Sequence, residues 1–343
     1  MKKSKKTLMI CVCIAAALCV AAGIILFSVL RSHPSVWLAQ GDDAVTEMDF
    51  EAELNGLSMM ENTWETALPQ TALYDLVRSH FDSPLPEGKT EKKAIVIGYD
   101  GCRVDAFRLL GTAKRSAVNM LLDNGGHAVF SYAGGVNYPA ESTQKTSTAP
   151  GWCSMLTGVL ADVHGVTAND TPKGVEPKSL LLSLVEEGKA DSSAIYVSWA
   201  KHFSTKNGTY RAEKEYAEAN GIPAVYLRAK NDRGTRQNIL DDLAKADCSD
   251  FIFSTHEYTD HAGHGSGFSL QNIRYVSGFR DADATGADII EAIENRPTYG
   301  SEDWLILITT DHGGIGKNHG GPSFEERITF IVSNREIPLG ANE

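Results

Sequence analysis

Cysteine is scarce where a fold could use it. The chain of 343 residues holds six cysteines. Cys11, Cys13 and Cys19 share one apolar run near the amino terminus, and only Cys102, Cys153 and Cys248 lie in the rest. An odd count at spacings unlike any zinc knuckle argues against a disulfide framework. Buried small hydrophobes are the expectation, with one bridge and one free thiol as the alternative. Basic charge is short as well: 32 Lys and Arg face 44 Asp and Glu, a net charge of −12. Such an excess repels a polyanion, so broad nucleic-acid binding is not expected. Internal repeats and low-complexity tracts are absent. With 42% hydrophobic and 22% charged residues, the composition is that of a folded protein and excludes disordered and collagen-like readings.

The little basic charge there is clusters unevenly. Residues 1–35 carry Lys2, Lys3, Lys5, Lys6 and Arg31 and no acid, leaving 27 basic against 44 acidic residues beyond them. Residues 8–30 hold no charge at all. Roughly 20 apolar residues cross a bilayer as a helix, whereas a cleavable signal has an apolar stretch of about 7–15. A lipid-attachment cysteine needs a small residue before it, but Cys11, Cys13 and Cys19 follow Ile10, Val12 and Leu18. The expectation is a basic cytoplasmic tip at 1–7 and a transmembrane anchor at 8–30. A stalk and lead-in would follow at 31–92, then the body at 93–343 outside the cytoplasm. An unusually long signal peptide is the alternative.

From residue 93 the pattern turns regular. Short apolar runs at 94–99, 128–132, 194–198, 224–227, 250–254, 304–309 and 328–332 read as strands. Helical stretches are expected at 104–123, 151–157, 178–188, 234–246 and 270–294, with a short amphipathic one at 71–81. Strands alternating with helices predict an α/β fold, its sheet covered on both sides. Ligands of such sheets bind beyond the carboxyl ends of the strands.

Three strand ends are chemically loaded. The first runs into Asp100-Gly101, where the acid suits a helix cap as well as a metal ligand. The run at 250–254 leads to His256, Asp260, His261 and His264. The run at 304–309 leads to Asp311 and His312, with His319 seven residues on. Five of the ten histidines lie between 256 and 319. Imidazole and carboxylate together suit zinc and similar divalent ions. A fourth segment, Thr148-Ala149-Pro150-Gly151, sets a hydroxyl just before an expected helix start. That position can attract phosphate, or can be a plain cap.

In this order and spacing the pieces resemble the alkaline phosphatase superfamily, most of all its type I phosphodiesterase/nucleotide pyrophosphatase branch. Leu156-Thr157-Gly158 and His164-Gly165-Val166 belong to the same resemblance, which spans about 93–333. It implies a three-layer sandwich around a central, mostly parallel sheet, and two divalent metal ions, zinc expected. Asp260, His264 and His319 would hold one ion. Asp100, Asp311 and His312 would hold the other, with Thr148 coordinating it as nucleophile. His256 and His261 match no ligand position and are expected in second-line or surface places; His164 matches a recurrent family position, where a structural role is expected. The implied activity is hydrolysis of a small phosphate ester, a phosphodiester or pyrophosphate, through a phospho-threonine. A phosphomonoesterase, a phosphoglycerol-transferase-like enzyme and an idle binding module are the alternatives.

The chain departs from that pattern at the nucleophile. The branch usually has Thr-Phe-Pro-Asn, with the Asn on phosphate; here Ala149 and Gly151 stand in the second and fourth places. Backbone N–H groups, Arg103 or Lys145 would have to supply the missing donor. Thr148 and Trp152 also lack the Cys or Ser and the Arg that a sulfatase needs.

Overall fold

The computed structural model describes residues 47–203 and 206–339. The tip and anchor expected at 1–30 lie outside the described residues. Among the described residues, no helix is long and apolar enough to cross a membrane.

Eight strands form one sheet in the order β1-β3-β8-β7-β2-β6-β4-β5. In chain order they are β1 (Leu68–Pro69), β2 (Glu91–Tyr99), β3 (His127–Tyr132), β4 (Ser193–Val197), β5 (Ala224–Arg228), β6 (Phe251–His256), β7 (Glu302–Thr309) and β8 (Ile328–Ser333). All neighbours run parallel except β8, which is antiparallel to both β3 and β7. The expected α/β sheet is therefore mixed and mostly parallel.

Side-chain alternation divides the core in two. Along β2, Ile95, Ile97 and Tyr99 enter one cluster with Val118, Phe279 and Ile290. Ala94 and Val96 enter the other, with Leu73, Trp152 and Leu182. Helices thus cover both faces: α1 (Glu47–Asn55), α3 (Ala117–Asp123), α8 (Asp232–Leu243) and α10 (Ile273–Glu294) on one. On the other lie α2 (Ala72–Asp82), α4 (Thr148–Thr157) and α6 (Leu180–Glu186). Both faces being apolar is why these strands read as continuous hydrophobic runs.

Two stretches differ from expectation. The segment read as stalk and lead-in joins the body from its first described turn. Phe50, Leu54 and Leu57 are buried in the first cluster, and β1 pairs with β3. The single helix expected at 104–123 is instead a 3₁₀ segment, Val104–Thr112, followed by α3. Ser116 ends the interruption by capping α3, its Oγ accepting from Asn119 N at 3.0 Å. The three body cysteines are buried and free, as the small-hydrophobe reading anticipates.

Candidate metal centre and active site

Sheet register assembles the site. β2 pairs with β6 and β7 in parallel, Tyr99 opposite His256 and Gly98 opposite Thr309. The residues that follow, Asp100, Glu257 and Thr310-Asp311-His312, therefore emerge side by side. Helix α9 (Tyr258–Ser266) starts right after β6 and carries Asp260 and His264 one turn apart. His319 arrives from the loop after β7.

The side chains converge. His264 Nε2 and His319 Nε2 lie 3.4 and 3.5 Å from Asp260 Oδ1. His312 Nε2 lies 3.3 Å from Asp311 Oδ2 and 3.7 Å from Asp100 Oδ1. Thr148, the first residue of α4, directs Oγ1 to Asp100 Oδ1 at 3.4 Å. Ligand atoms of Asp260, His312 and His319, and of Asp100, Asp311 and His312, each fall within 4.8 Å of one another. All seven sequence-predicted site residues thus come together. The helix begins earlier than the expected 151, because Ser147 is extended and its carbonyl already accepts from Gly151 N.

Each imidazole is oriented in the same way. His264 Nδ1 donates to Lys317 O at 2.9 Å, His312 Nδ1 to Gly313 O at 2.7 Å and His319 Nδ1 to Thr146 O at 3.0 Å. A carbonyl can only accept, so Nδ1 holds the proton and the Nε2 lone pair faces the centre. Three buried atoms there, Asp260 Oδ1, Asp311 Oδ2 and His312 Nε2, have no hydrogen-bond partner. Lone pairs facing one another without a donor fit a divalent cation, and the backbone-anchored imidazoles match the usual outer support of metal-bound histidine.

Charge points the same way. Asp100, Asp311 and Glu257 are buried, and among the described residues no Lys or Arg forms an ion pair with any of them. Burial, then the neighbouring Asp311 and Asp260, pushes the Asp100 carboxyl well up; burial does the same to Asp311. Asp260 is raised by burial, with His264 and His319 opposing. His312 is driven well down, chiefly by burial.

Sequence reasoning missed three participants. Trp152 Nε1 donates to Asp100 Oδ2 at 2.9 Å. Its ring lies where Gly98 has no side chain: a Cβ at 98 would come within 2.5 Å of Trp152 Cη2. Glu257 is a third carboxylate near Asp100 and Asp260, with ligand atoms within 4.8 Å. Asn169 Oδ1 accepts from Ala149 N at 2.9 Å, setting a carboxamide beside Thr148. No local pattern marks it, since it stands 20 residues after Ala149, in a turn beyond α4 and a short helix at Ala161–His164.

Arg103 is not the replacement donor. Its guanidinium is buried and spent on Asp105, at 3.0 and 2.8 Å, and on Phe268 O at 3.0 Å. Of the histidines outside the motif, His164 is engaged by Ser154 Oγ at 3.1 Å and Val166 N at 3.0 Å. His256 is buried against Tyr258, and His261 is exposed.

Comparison with known proteins agrees with this geometry. The family model described as type I phosphodiesterase / nucleotide pyrophosphatase matches residues 94–319. No curated protein sequence matches. Among solved structures, murine ectonucleotide pyrophosphatase / phosphodiesterase 5 is 19% identical, with TM-score 0.44, the match covering 65% of this chain and 57% of that one. The phosphonate monoester hydrolase of Agrobacterium radiobacter is 13% identical, with TM-score 0.48 and coverage of 71% and 68%. The lipoteichoic acid synthase LtaP from Listeria monocytogenes is 12% identical, with TM-score 0.42 and coverage of 75% and 70%. The chain thus spans little more than half the length of the murine protein. Its match to the family model, by contrast, runs from β2 through His319. The chain belongs to the type I phosphodiesterase / nucleotide pyrophosphatase family, whose members are metal-dependent.

Proposed function

We propose that the protein hydrolyses phosphodiester or pyrophosphate bonds through a phospho-threonine at Thr148, with two divalent ions, zinc expected, in the centre. Asp260, His264 and His319 would hold one ion, and Asp100, Asp311 and His312, with Thr148, the other. The observation that carries the reading is the set of partnerless lone pairs beside a buried threonine, each imidazole turned inward by a main-chain carbonyl. When bound, such ions favour an alkoxide and neutralise charge on phosphoryl oxygens.

The chain's own groups do the rest. Asp100 Oδ1 receives the Thr148 hydroxyl, and Trp152 fixes the other oxygen of that carboxylate. Thr148 Oγ forms a bond to phosphorus as the ester oxygen leaves; water then breaks the Thr–phosphorus bond and releases the product. Burial of Thr148, 3% exposed, keeps the nucleophile from bulk solvent. Asn169 holds the start of α4 through Ala149 N and so fixes the nucleophile's direction.

The proposal extends to place. Residues 8–30 would anchor the body to the outer face of the cell membrane, and fractionation of cells expressing the full chain tests that part. For the chemistry, metal content and turnover of bis(p-nitrophenyl) phosphate are measured in the wild type and in Thr148→Ala. Expected are about two equivalents of metal in both proteins and a loss of at least ~10³-fold in turnover in the variant. Full activity without Thr148 would sink the nucleophile assignment, and protein purified without metal would sink the centre. Relative kcat/KM on matched mono- and diesters decides which ester class is preferred.

A further inference from the structure

A cavity of about 270 Å³ opens at the carboxyl ends of β4 and β5, lined by Trp199, Arg228, Lys230, Asp232 and His261 among others. Three features tie it to the catalytic groups. Trp199 packs against the small cluster of Ala149, Cys153 and Val166, and Ala149 follows Thr148. His261 follows Asp260 on α9. Asp232 Oδ1, in the cavity wall, accepts from Glu257 N at 3.1 Å and from Ser198 Oγ at 2.6 Å.

Its charge runs against the rest of the molecule. The protein carries −12 overall, and most of its basic side chains that border the sheet are paired with acids. Arg228 and Lys230 are exposed, and among the described residues neither is in an ion pair. Arg228 Nε is held by Ser198 O at 3.1 Å, which aims the rest of the guanidinium without neutralising it. Lys201 lies outside the lining, its Nζ 5.8 Å from the Trp199 ring. Asp232, the acid in the wall, accepts both donors on Oδ1 and keeps its charge, and the two exposed cations still leave the wall net positive. The N-terminus of α8 is capped by Asn231, whose Oδ1 accepts from Gly234 N at 3.1 Å. His202 braces the Trp199 wall from behind, its ring 4.9 Å away at 78°.

We propose that this cavity binds a second anionic group, phosphate or carboxylate, carried on the substrate away from the reacting phosphorus, with Arg228 and Lys230 as its specificity-determining residues. The inference rests on the phosphoesterase reading above. It narrows the substrates to esters with two separated negative groups. An unpaired guanidinium and ammonium beside a rigid aromatic wall bind an anion by charge and fork geometry, whereas a neutral arm gains neither.

The test compares two p-nitrophenyl phosphodiesters whose other arm ends in a carboxylate or in the matching amide. Wild-type enzyme and the double variant Arg228→Ala/Lys230→Ala are used at low and high salt. The expected result is a preference of about tenfold in kcat/KM for the carboxylate, from two charge contacts, shrinking with salt. The double variant should lose the preference while turning over the amide as well as wild type does. Equal turnover of both diesters by the wild type, or a preference that survives in the double variant, would overturn the inference. Calorimetry keeps this outcome apart from failure of the phosphoesterase reading. Phosphate, pyrophosphate and tripolyphosphate are titrated into metal-loaded Thr148→Ala and into the same protein with both cavity substitutions. Affinity should rise along the series in the first and level off in the second. If neither diester is hydrolysed, the phosphoesterase reading fails and the two titrations alone decide the cavity; identical titrations would refute it.

Discussion

The two sides of the centre are built by different means. Asp100, Asp311 and His312 are fully buried, at 0% exposure, and come from the ends of β2 and β7, adjacent central strands. Asp260, His264 and His319 come from a helix and a loop, and the His264 side chain is 44% exposed. On the inner side, hydrogen-bonded register fixes the geometry, reinforced by Gly101 N on Asp311 Oδ1 at 3.2 Å and by Trp152 on Asp100. On the outer side, the one-turn spacing of Asp260 and His264 and one main-chain contact per imidazole do the same work next to solvent. A register-built site is rigid, and a helix-and-loop site can give way. Removing a group should therefore cost more inside than outside.

The strongest way to break this contrast is to delete one ligand from each side. Asp311→Ala should lose about a thousandfold or more in kcat and should leave its share of metal unbound after dialysis. His264→Ala should lose about 10–100-fold, and added metal should restore much of that. Activity against metal concentration distinguishes the two; equal losses with equal rescue would show that the sides do not differ. A gentler perturbation acts through packing alone. At Gly151 a Cβ would come within 2.9 Å of Asp311 Cβ and 3.0 Å of Asp311 O. Gly151→Ala should cost about 1–3 kcal/mol of stability by overpacking and should lower activity through the inner carboxylate. Thermal unfolding with parallel kinetics measures both. A variant as stable and active as wild type would mean that the inner side yields after all.

The same contrast decides how much could be read in the sequence. Strands buried on both faces announce themselves as apolar runs, so the sheet and the three loaded strand ends were legible. Asp260 and His264 were legible too, since their spacing is local. The support of the inner side was not, because it is tertiary. Trp152 meets Gly98 and Asp100 only after α4 packs on the sheet, and Asn169 reaches Ala149 from a loop without regular structure. Phe50, Leu54 and Leu57 stand at helical spacing, but a stripe of three among acids was too short to mark 47–57 as part of the core. The helix expected at 104–123 failed at a local break: Gly111 to Arg115 interrupts the apolar pattern, and the serine at 116 starts a new helix as its cap.

The smallest effect sharpens the comparison without touching catalysis. In metal-free protein the Asp100 and Asp311 carboxyls lie well above the ordinary carboxylate value, driven first by burial. A raised pKa means that the folded state keeps protons which the unfolded state releases. Stability must then fall as pH rises from the ordinary carboxylate value toward the raised one. His312 and His319 are shifted down, so they work in the opposite sense, adding stability as pH rises toward the ordinary histidine value. Above about pH 7 histidine is neutral in both states and drops out of the slope. As pH rises above the ordinary carboxylate value, in chelator, the wild type should therefore lose up to about 1.4 kcal/mol per pH unit for each carboxyl proton still held. Asp311→Asn should flatten that slope by removing one inner carboxyl and relieving the other, whereas His264→Ala should leave it in place. Saturating metal should abolish it in the wild type, because cations replace the protons. Unfolding midpoints across that pH range test the point, and a slope shared by wild type and Asp311→Asn would show that the inner carboxylates are not where the proton is held.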